Sequence, residues 1–226
     1  MNTLIVHAHP EPKSFCSALK DTAYSILHEH GNQVHVLDLY AEGWNPVGGR
    51  GDFTALSNSD YFRYQREQGA ARERGGLEQG FPGFHADIAR HMKQISQADL
   101  VILNFPMWWF GLPAILKGWV DRVFALNVAY AHGGGIYANG LFKGKRAFCC
   151  LTTGGSPDLY VPDGLNGELS MLLYPINHGM LYYAGMKVLP PFAAHAPHRV
   201  EAEVRDRYIS DYKNYLMTLD SRQGLW

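Results

Sequence analysis

Three short segments of the sequence contain the side chains best suited to bind a ligand. In the first, HAHPEPKSFC at residues 7–16, two histidines, a lysine and a serine precede an apolar helical pattern. Backbone N–H groups at the start of a helix attract anions, so this segment could bind a phosphate, although an ordinary helix cap has the same pattern. It contains no GxGxxG, and the chain no Walker-type P-loop, which argues against those nucleotide sites. His7 and His9 lack further ligands at a suitable spacing, so no metal is expected.

The second segment, FPMWWFGLP at residues 105–113, is aromatic and apolar. Leaving four large apolar side chains in water at the end of a strand costs free energy. Such a cluster commonly belongs to a core or to an interface between proteins. A flat aromatic wall would also suit a planar ring system such as an isoalloxazine or a quinone.

The third segment, TTGGS at residues 152–156, combines hydroxyl groups with two glycines. Because glycine has no Cβ, the backbone N–H groups here could approach a ligand closely and donate hydrogen bonds to ring oxygens and nitrogens. A plain turn is the alternative. The second and third segments each follow a buried strand, and the carboxyl ends of parallel strands meet at one edge of a sheet. This convergence favours a shared ligand site.

The elements that would position these segments alternate between strands and helices. Compact apolar runs predict five strands, at residues 3–8, 33–39, 100–105, 146–151 and 186–189. One helix is predicted to begin at a Ser14 cap and to end at Gly31, and another has Pro113 in its first turn. Three further helices are predicted at residues 84–97, 168–184 and 201–217. The pattern predicts an α/β fold with a five-stranded parallel sheet covered by helices on both faces. The 226 residues suit one domain, interrupted by a long insert at about 41–83.

Composition narrows the class of protein further. The net charge of −1 without a basic run argues against nucleic-acid binding and against an anionic membrane surface. No apolar stretch reaches the length of a membrane span, and no cleavage signal follows Met1. Three cysteines, two of them adjacent at Cys149 and Cys150, do not form a disulfide framework. These features predict a cytoplasmic protein without membrane insertion.

The three segments resemble the NAD(P)H:quinone reductase (DT-diaphorase) family of flavodoxin-like proteins. The similarity is strongest in LIVHAHPEPKSF at residues 4–15, FPMWWFGLPAILKGWVDRVF at residues 105–124 and TTGGS at residues 152–156. The resemblance implies a flavodoxin-like homodimer that binds FAD. It also implies a ping-pong reaction in which NAD(P)H reduces the flavin, leaves, and a quinone then takes both electrons from the same pocket.

The resemblance also implies residue roles. The residues implied in FAD binding are His9, Phe15 and Cys16 near the phosphates, Met107, Trp108, Trp109 and Phe110 beside the ring, Thr152, Thr153, Gly154, Gly155 and Tyr160 at its polar edge, and Arg205. Tyr130 and His132 match two substrate-covering tyrosines of the family, so His132 is a departure. Cys16 stands where the family commonly has asparagine.

Tyr160 and Asn166 carry the hypothesis about catalysis. A reduced flavin develops negative charge around N1 and O2, which a hydrogen-bond donor can stabilise. The family assigns this role to a tyrosine backed by a histidine, and here the histidine position holds Asn166. An amide cannot take up a proton as an imidazole does, so we expect Tyr160 to donate alone with Asn166 orienting it.

Two other functions stay open on the sequence alone. A reductase of azo or nitro compounds that uses FMN instead of FAD would share the same open pocket. A regulatory subunit of a membrane transporter could use the same fold, with residues 41–83 as the partner surface. The sequence has no separate dinucleotide fingerprint, so it does not distinguish NADH from NADPH.

Overall fold

The sheet of the protein is parallel throughout and has five strand positions. The computed structural model describes residues 1–75 and 80–226. Within these residues the strand order is β2-β1-β3-β4-β5, and β6 pairs with β4 beyond the end of β5. The strands are β1 (Asn2–His7), β2 (Gln33–Asp38), β3 (Leu100–Pro106), β4 (Arg146–Thr153), β5 (Lys187–Val188) and β6 (Phe192–His195). This arrangement confirms the predicted flavodoxin-like α/β fold.

Helices cover both faces of the sheet, as the buried apolar strands require. The helices are α1 (Phe15–Glu29), α2 (Tyr64–Glu73), α3 (Ala86–Gln97), α4 (Ala114–Val123), α5 (Leu169–Leu172), α6 (Tyr174–Ile176) and α7 (Ala202–Met217). One core lies between the sheet and α3 and α4, and it contains Met92 and Trp119. The other lies between the sheet and α1 and α7, and it contains Leu19 and Tyr212.

The fifth strand position is occupied by two short strands instead of one. The sequence predicted a single last strand at residues 186–189, whereas the structure has β5 and β6 on either side of Pro190 and Pro191. Proline has no N–H to donate to a sheet, so the ladder is interrupted at these residues. Beyond them β6 pairs with β4 again, and His195 becomes the Cα partner of Thr153. The sheet therefore extends farther toward its carboxyl edge than the sequence predicted.

Two helix predictions also need correction. Residues 168–184 do not form one helix, since α5 and α6 are followed by a π-helix at Asn177–Tyr182. Pro175 lies inside α6, where it cannot donate the hydrogen bond that would continue the preceding turn. Pro113 is the N-cap of α4, one residue before the predicted position in the first turn. Ser14 caps α1 as predicted and accepts a hydrogen bond from the Ser17 N–H.

The segment predicted as an insert, residues 41–83, contains helix α2 and an ionic anchor. Residues 76–79 of this segment lie outside the described residues. Arg122 of α4 donates to a carboxylate oxygen of Asp52 at 2.9 and 3.2 Å and to the Asn45 carbonyl at 2.6 Å. Both charged side chains are buried. This ion pair fixes the first part of the segment to the core of the fold. In the part of the chain that is described, no helix combines the length and apolarity needed to cross a bilayer.

Candidate active site

A cavity of about 720 Å³ opens at the carboxyl edge of the sheet, beside the ends of β1, β3 and β4. This volume is typical of a site for a small-molecule cofactor. Its lining comprises His9, Lys13, Ser14, Phe15, Cys16, Ala18, Pro106, Met107, Trp108, Thr152, Thr153, Gly154, Pro197, His198 and Arg205. Nine of the thirteen residues that the resemblance implies for FAD binding are in this lining. The three ligand-binding segments predicted from the sequence therefore meet at one place.

The second and third segments converge because β3 and β4 are adjacent. Pro106 is the Cα partner of Thr152 in the sheet. One residue farther along, the Met107 N–H donates to the Thr152 carbonyl at 2.8 Å. This hydrogen bond continues the ladder past the end of the sheet. The apolar Met107 is thereby held against the hydroxyl-bearing turn at residues 152–155.

The aromatic segment makes a tight turn that separates its members. The Gly111 N–H donates to the Trp108 carbonyl at 3.0 Å, and Trp109 and Phe110 between them have positive φ angles of 48° and 58°. Trp108 lines the cavity, whereas Trp109 is 98% exposed and Phe110 is 47% exposed, and neither of these two lines it. A left-handed backbone at two bulky residues is strained, and such strain is concentrated at functional sites.

The end of the cavity at α1 is suited to an anion. The Phe15 and Cys16 N–H groups have no hydrogen-bond acceptor among the residues described, and both residues line the cavity. The helix dipole favours negative charge at this point. Lys13 and Arg205 also line the cavity, and neither has a carboxylate within 4.0 Å in residues 1–75 and 80–226. Their charges are available to a bound phosphate.

His9 adds a further donor at this end. Its Nδ1 lies 3.0 Å from the Glu11 nitrogen and 3.2 Å from the Glu11 carbonyl oxygen. A backbone N–H can only donate, so the shorter contact makes Nδ1 the acceptor and puts the proton of the neutral ring on Nε2. Burial lowers the pKa of His9, which favours this neutral form. The Cys16 thiol is directed inward, where it donates to the Asn104 amide oxygen at 3.5 Å. Burial raises the pKa of this thiol, so it stays protonated and unreactive.

The polar edge is built on the turn after β4. The Thr153 hydroxyl donates to the Gly155 carbonyl at 2.8 Å, which closes the turn. Gly154 faces open space, with no atom within 4 Å of the position a Cβ would take. At Gly155 a Cβ would lie 3.2 Å from the Tyr160 hydroxyl, so this tyrosine reaches back to the turn. Gly155 and Tyr160 are not part of the cavity lining, although they adjoin the lining residues Thr153 and Gly154 through the turn.

The structure shows no hydrogen bond between the Asn166 and Tyr160 side chains within the described residues. The Asn166 N–H donates to the Leu159 carbonyl at 3.0 Å, but its side-chain amide makes no hydrogen bond within the described residues. The ring of His195 lies beside Tyr160 instead, with 5.4 Å between the ring centroids. The orienting role predicted for Asn166 therefore has no hydrogen bond to support it within the described residues, and it stays a prediction.

Tyr130 and His132 lie apart from the cavity. Tyr130 lines a separate cavity of about 490 Å³, where its hydroxyl accepts from the Gln65 side chain at 2.8 Å. His132 is exposed in the glycine-rich turn that follows. Within one chain neither residue lines the cavity beside Trp108.

Sequence reasoning missed two groups of residues at the site. Pro197 and His198 line the cavity, and His195 stands behind it at the end of β6. All three follow the strand that was predicted to end at residue 189. The apolar run at residues 192–194, directly after two prolines, is the signal that could have indicated a second strand piece.

The parallel strand order and the ligand cavity at the carboxyl edge define a flavodoxin-like protein. A family model described as a flavodoxin-like fold matches residues 1–216. Human ribosyldihydronicotinamide dehydrogenase (quinone) is 40% identical over 217 residues, which are 96% of this chain and 90% of the human protein. NAD(P)H dehydrogenase (quinone) 1 of Cavia porcellus is 37% identical over 214 residues, 94% of this chain and 75% of that protein.

Structural comparison agrees with the sequence comparison. A crystal structure assigned as a quinone reductase from Klebsiella pneumoniae has a TM-score of 0.90 and 36% identity, and the match covers 100% of this chain and 87% of that one. The chain belongs to the NAD(P)H dehydrogenase (quinone) family of flavodoxin-like proteins, which makes it an oxidoreductase.

Proposed function

We propose that the protein is an FAD-dependent NAD(P)H oxidoreductase that transfers two electrons as hydride to quinones by a ping-pong mechanism. The observation that carries this proposal is the cavity, in which an anion-binding helix end, an aromatic wall and a polar turn surround one space. The names of the human and Cavia porcellus relatives supply the class of acceptor.

The residues of the cavity fit a flavin at both ends. At the α1 end, the backbone N–H groups of Phe15 and Cys16, with Lys13 and Arg205, suit the phosphates. At the β4 end, Trp108 supplies a flat apolar wall while the turn at residues 152–155 supplies polar groups for the ring edge. FAD is favoured over FMN because the lining continues from α1 to α7, which leaves room beyond a first phosphate.

When bound, the flavin supplies the chemistry of accepting and donating a hydride. The residues of the chain orient it and stabilise charge. The Tyr160 hydroxyl makes no hydrogen bond within the described residues and lies beside the turn at Gly155, so it would be free to donate to the edge of a ring bound at that turn, where negative charge develops. Met107 and Trp108 keep water from one side of the site. With one open cavity for both co-substrates, NAD(P)H has to leave before the quinone enters.

We further propose that the active form is a homodimer. Tyr130 and His132, which the resemblance implies in covering the substrate, do not line the cavity of their own chain. A second copy of the chain could bring them there. Sedimentation equilibrium would measure the assembly directly, and a monomer at working concentration with full activity would contradict this part of the proposal.

Reconstitution of flavin-free protein tests the central proposal. Purified protein, stripped of flavin, is titrated with FAD and separately with FMN while the flavin fluorescence is followed. We expect FAD to bind more tightly than FMN and to restore NADH or NADPH oxidation with a quinone such as menadione. Stopped-flow mixing without acceptor should give flavin reduction as a separate first half-reaction.

The same experiment separates the other candidate functions. A protein that binds FMN more tightly and reduces an azo dye faster than a quinone is an azoreductase. A protein that binds neither flavin and oxidises no NAD(P)H favours the regulatory subunit. Either result would overturn the proposal of an FAD-dependent quinone reductase.

A further inference from the structure

His195 is the last residue of β6, and its surroundings fix it firmly. Its backbone is in register with Thr153 on β4. From the other side, the Tyr208 hydroxyl of α7 donates to the His195 carbonyl at 3.1 Å. The imidazole Nδ1 lies 3.0 Å from the Thr153 hydroxyl oxygen. His195 thus joins the turn of the polar edge, through its imidazole, to the closing helix, through its backbone carbonyl.

The hydrogen bonds of Thr153 determine the tautomer of His195. A hydroxyl has one proton, and that of Thr153 is donated to the Gly155 carbonyl at 2.8 Å, because a carbonyl can only accept. The Thr153 oxygen must therefore accept from the imidazole Nδ1–H. This assignment leaves Nε2 as an acceptor that has no partner in the described part of the chain. Burial lowers the pKa of His195, in agreement with a neutral ring.

The same ring supports Tyr160. The two ring centroids are 5.4 Å apart with an angle of 33° between the planes. Tyr160 is 8% exposed, and its hydroxyl lies next to Gly155, the residue whose carbonyl receives the Thr153 proton. His195 therefore contacts one side of the turn through Nδ1 and the tyrosine through its face.

We propose that His195 is a positioning residue for the oxidoreductase reaction: its Nδ1–H fixes the Thr153–Gly155 turn at the cavity, and its ring holds Tyr160 against that turn. It supports the tyrosine from the end of β6, whereas Asn166 lies in the loop before α5 and its side-chain amide makes no hydrogen bond within the described residues. This inference rests on the proposed function, because it takes the cavity as the flavin site.

The tautomer can be measured without any cofactor. In flavin-free protein, the imidazole ¹⁵N resonances of His195 are assigned by their loss in His195→Phe. We expect a protonated Nδ1 and an unprotonated Nε2 near neutral pH, and we expect this pattern to be lost in Thr153→Val. A ring protonated on Nε2 in the wild-type protein would overturn the proposed hydrogen bond.

Two variants separate the donor from the ring. His195→Phe keeps an aromatic ring beside Tyr160 and removes the donor, whereas His195→Asn keeps a donor near the Nδ1 position and removes the ring. We expect His195→Phe to slow flavin reduction by NAD(P)H about tenfold, as for a misaligned hydrogen-bond donor, while the flavin dissociation constant changes less than about threefold. His195→Asn should recover part of the rate. Thermal unfolding of both variants shows whether they are folded.

A double-mutant cycle tests whether His195 acts through Tyr160. If it does, His195→Phe should slow flavin reduction by less than about twofold in a Tyr160→Phe background, because the group that it positions is already absent. If the fold-reductions of the two single variants multiply in the double variant, the role of His195 is overturned. An unchanged rate in folded His195→Phe would also overturn it. Neither result would affect the proposed function of the protein. Wild-type protein that binds no flavin would overturn the proposed function, and this role with it, while the ¹⁵N result would still report the hydrogen bond.

Discussion

Two polar clusters of this molecule differ in how completely their hydrogen bonds are satisfied. The anchor cluster consists of Asn45, Asp52, Tyr64 and Arg122, and the cavity cluster consists of Thr153, Tyr160 and His195. In the anchor cluster Arg122 donates to Asn45 and to Asp52, and Tyr64 donates to the other carboxylate oxygen of Asp52. In the cavity cluster the Tyr160 hydroxyl and the His195 Nε2 have no partner among the described residues.

This difference separates a cluster that supports the fold from one that supports the reaction in the function we propose. A buried charge without a partner costs free energy, and the anchor cluster avoids this cost by pairing its charges. The Tyr160 hydroxyl and the His195 Nε2 are not among the fully buried unpaired atoms of the described residues, so solvent or a ligand can reach them. The anchor cluster is complete, and it ties the segment at residues 41–63 to α4. The cavity cluster is incomplete at the edge where a bound ring would lie. Satisfaction of hydrogen bonds thus distinguishes the two clusters although both combine charged or titratable side chains.

Breaking the anchor cluster should give the largest effect on stability. Asp52→Ala leaves the buried Arg122 guanidinium without its carboxylate, and Asp87, 3.9 Å away, does not replace the two lost hydrogen bonds. We expect the free energy of unfolding to fall by about 3 kcal/mol, measured by urea denaturation.

A matched control is available on α4. Asp121 pairs with Lys117 on the exposed face of the helix, with both side chains about half exposed. Asp121→Ala should lower the free energy of unfolding by less than about 1 kcal/mol. Equal losses for the two variants would show that the buried pair is not an anchor.

Breaking the cavity cluster should affect the reaction and not the fold. Tyr160→Phe removes the open donor while keeping the ring that packs beside His195. We expect flavin reduction by NAD(P)H to slow by on the order of 10²-fold, as for the loss of one donor to a developing charge, with little change in thermal unfolding. Tyr24→Phe on the exposed face of α1 is the control and should react as the wild type does. An unchanged rate in Tyr160→Phe would remove this tyrosine from catalysis.

The sequence predicted the elements and segments whose signals are local. The apolar strand runs, the Ser14 cap and the TTGGS turn are each recognisable from a few neighbouring residues, and the structure places the corresponding segments around one cavity. The parallel sheet explains why three segments so distant in sequence had to meet: strand ends share an edge.

What the sequence could not predict depends on pairing across the chain. The second piece of the fifth strand exists because β4 is long enough to pair beyond Pro191, and this pairing alone places His195 beside Thr153. Likewise, the separation of Trp108 from Trp109 depends on a left-handed turn whose φ angles bulky residues rarely adopt. The sequence predicted Asn166 as the residue that orients Tyr160, whereas the ring that packs beside Tyr160 belongs to His195. This packing also depends on the pairing of β6 with β4.

The adjacent tryptophans allow a smaller but sharper test of the cavity. Trp108 lines it and lies with its ring centroid 6.4 Å from that of His9, whereas Trp109 is almost fully exposed. Trp108→Ala should weaken FAD binding about tenfold, because loss of one aromatic contact costs about 1.4 kcal/mol. Trp109→Ala should change the dissociation constant by less than about twofold. Fluorescence titration of flavin-free protein measures both, and equal effects would contradict the geometry of this turn.

The smallest expected effect is on the pH dependence of the free energy of unfolding, and it concerns the buried His91 of α3. The His91 Nδ1 accepts from the Trp119 indole N–H at 3.2 Å, and its Nε2–H donates to Glu42 at 3.1 Å, so the ring is neutral. Burial, with the charge of Arg90, lowers its pKa although Glu42 opposes the shift. Below the ordinary histidine pKa of about 6.5 the unfolded chain therefore takes up a proton that the folded chain refuses.

The stability contributed by His91 is consequently present above that pH and is lost as the pH falls toward its lowered folded value. We expect the free energy of unfolding to decrease between about pH 7 and pH 5, and to decrease less steeply in His91→Gln. His28→Gln, at an exposed position on α1, should keep the slope of the wild type. Urea denaturation at both pH values measures the two slopes. If His91→Gln also keeps the wild-type slope, the ring is not held neutral by the Trp119 hydrogen bond and burial.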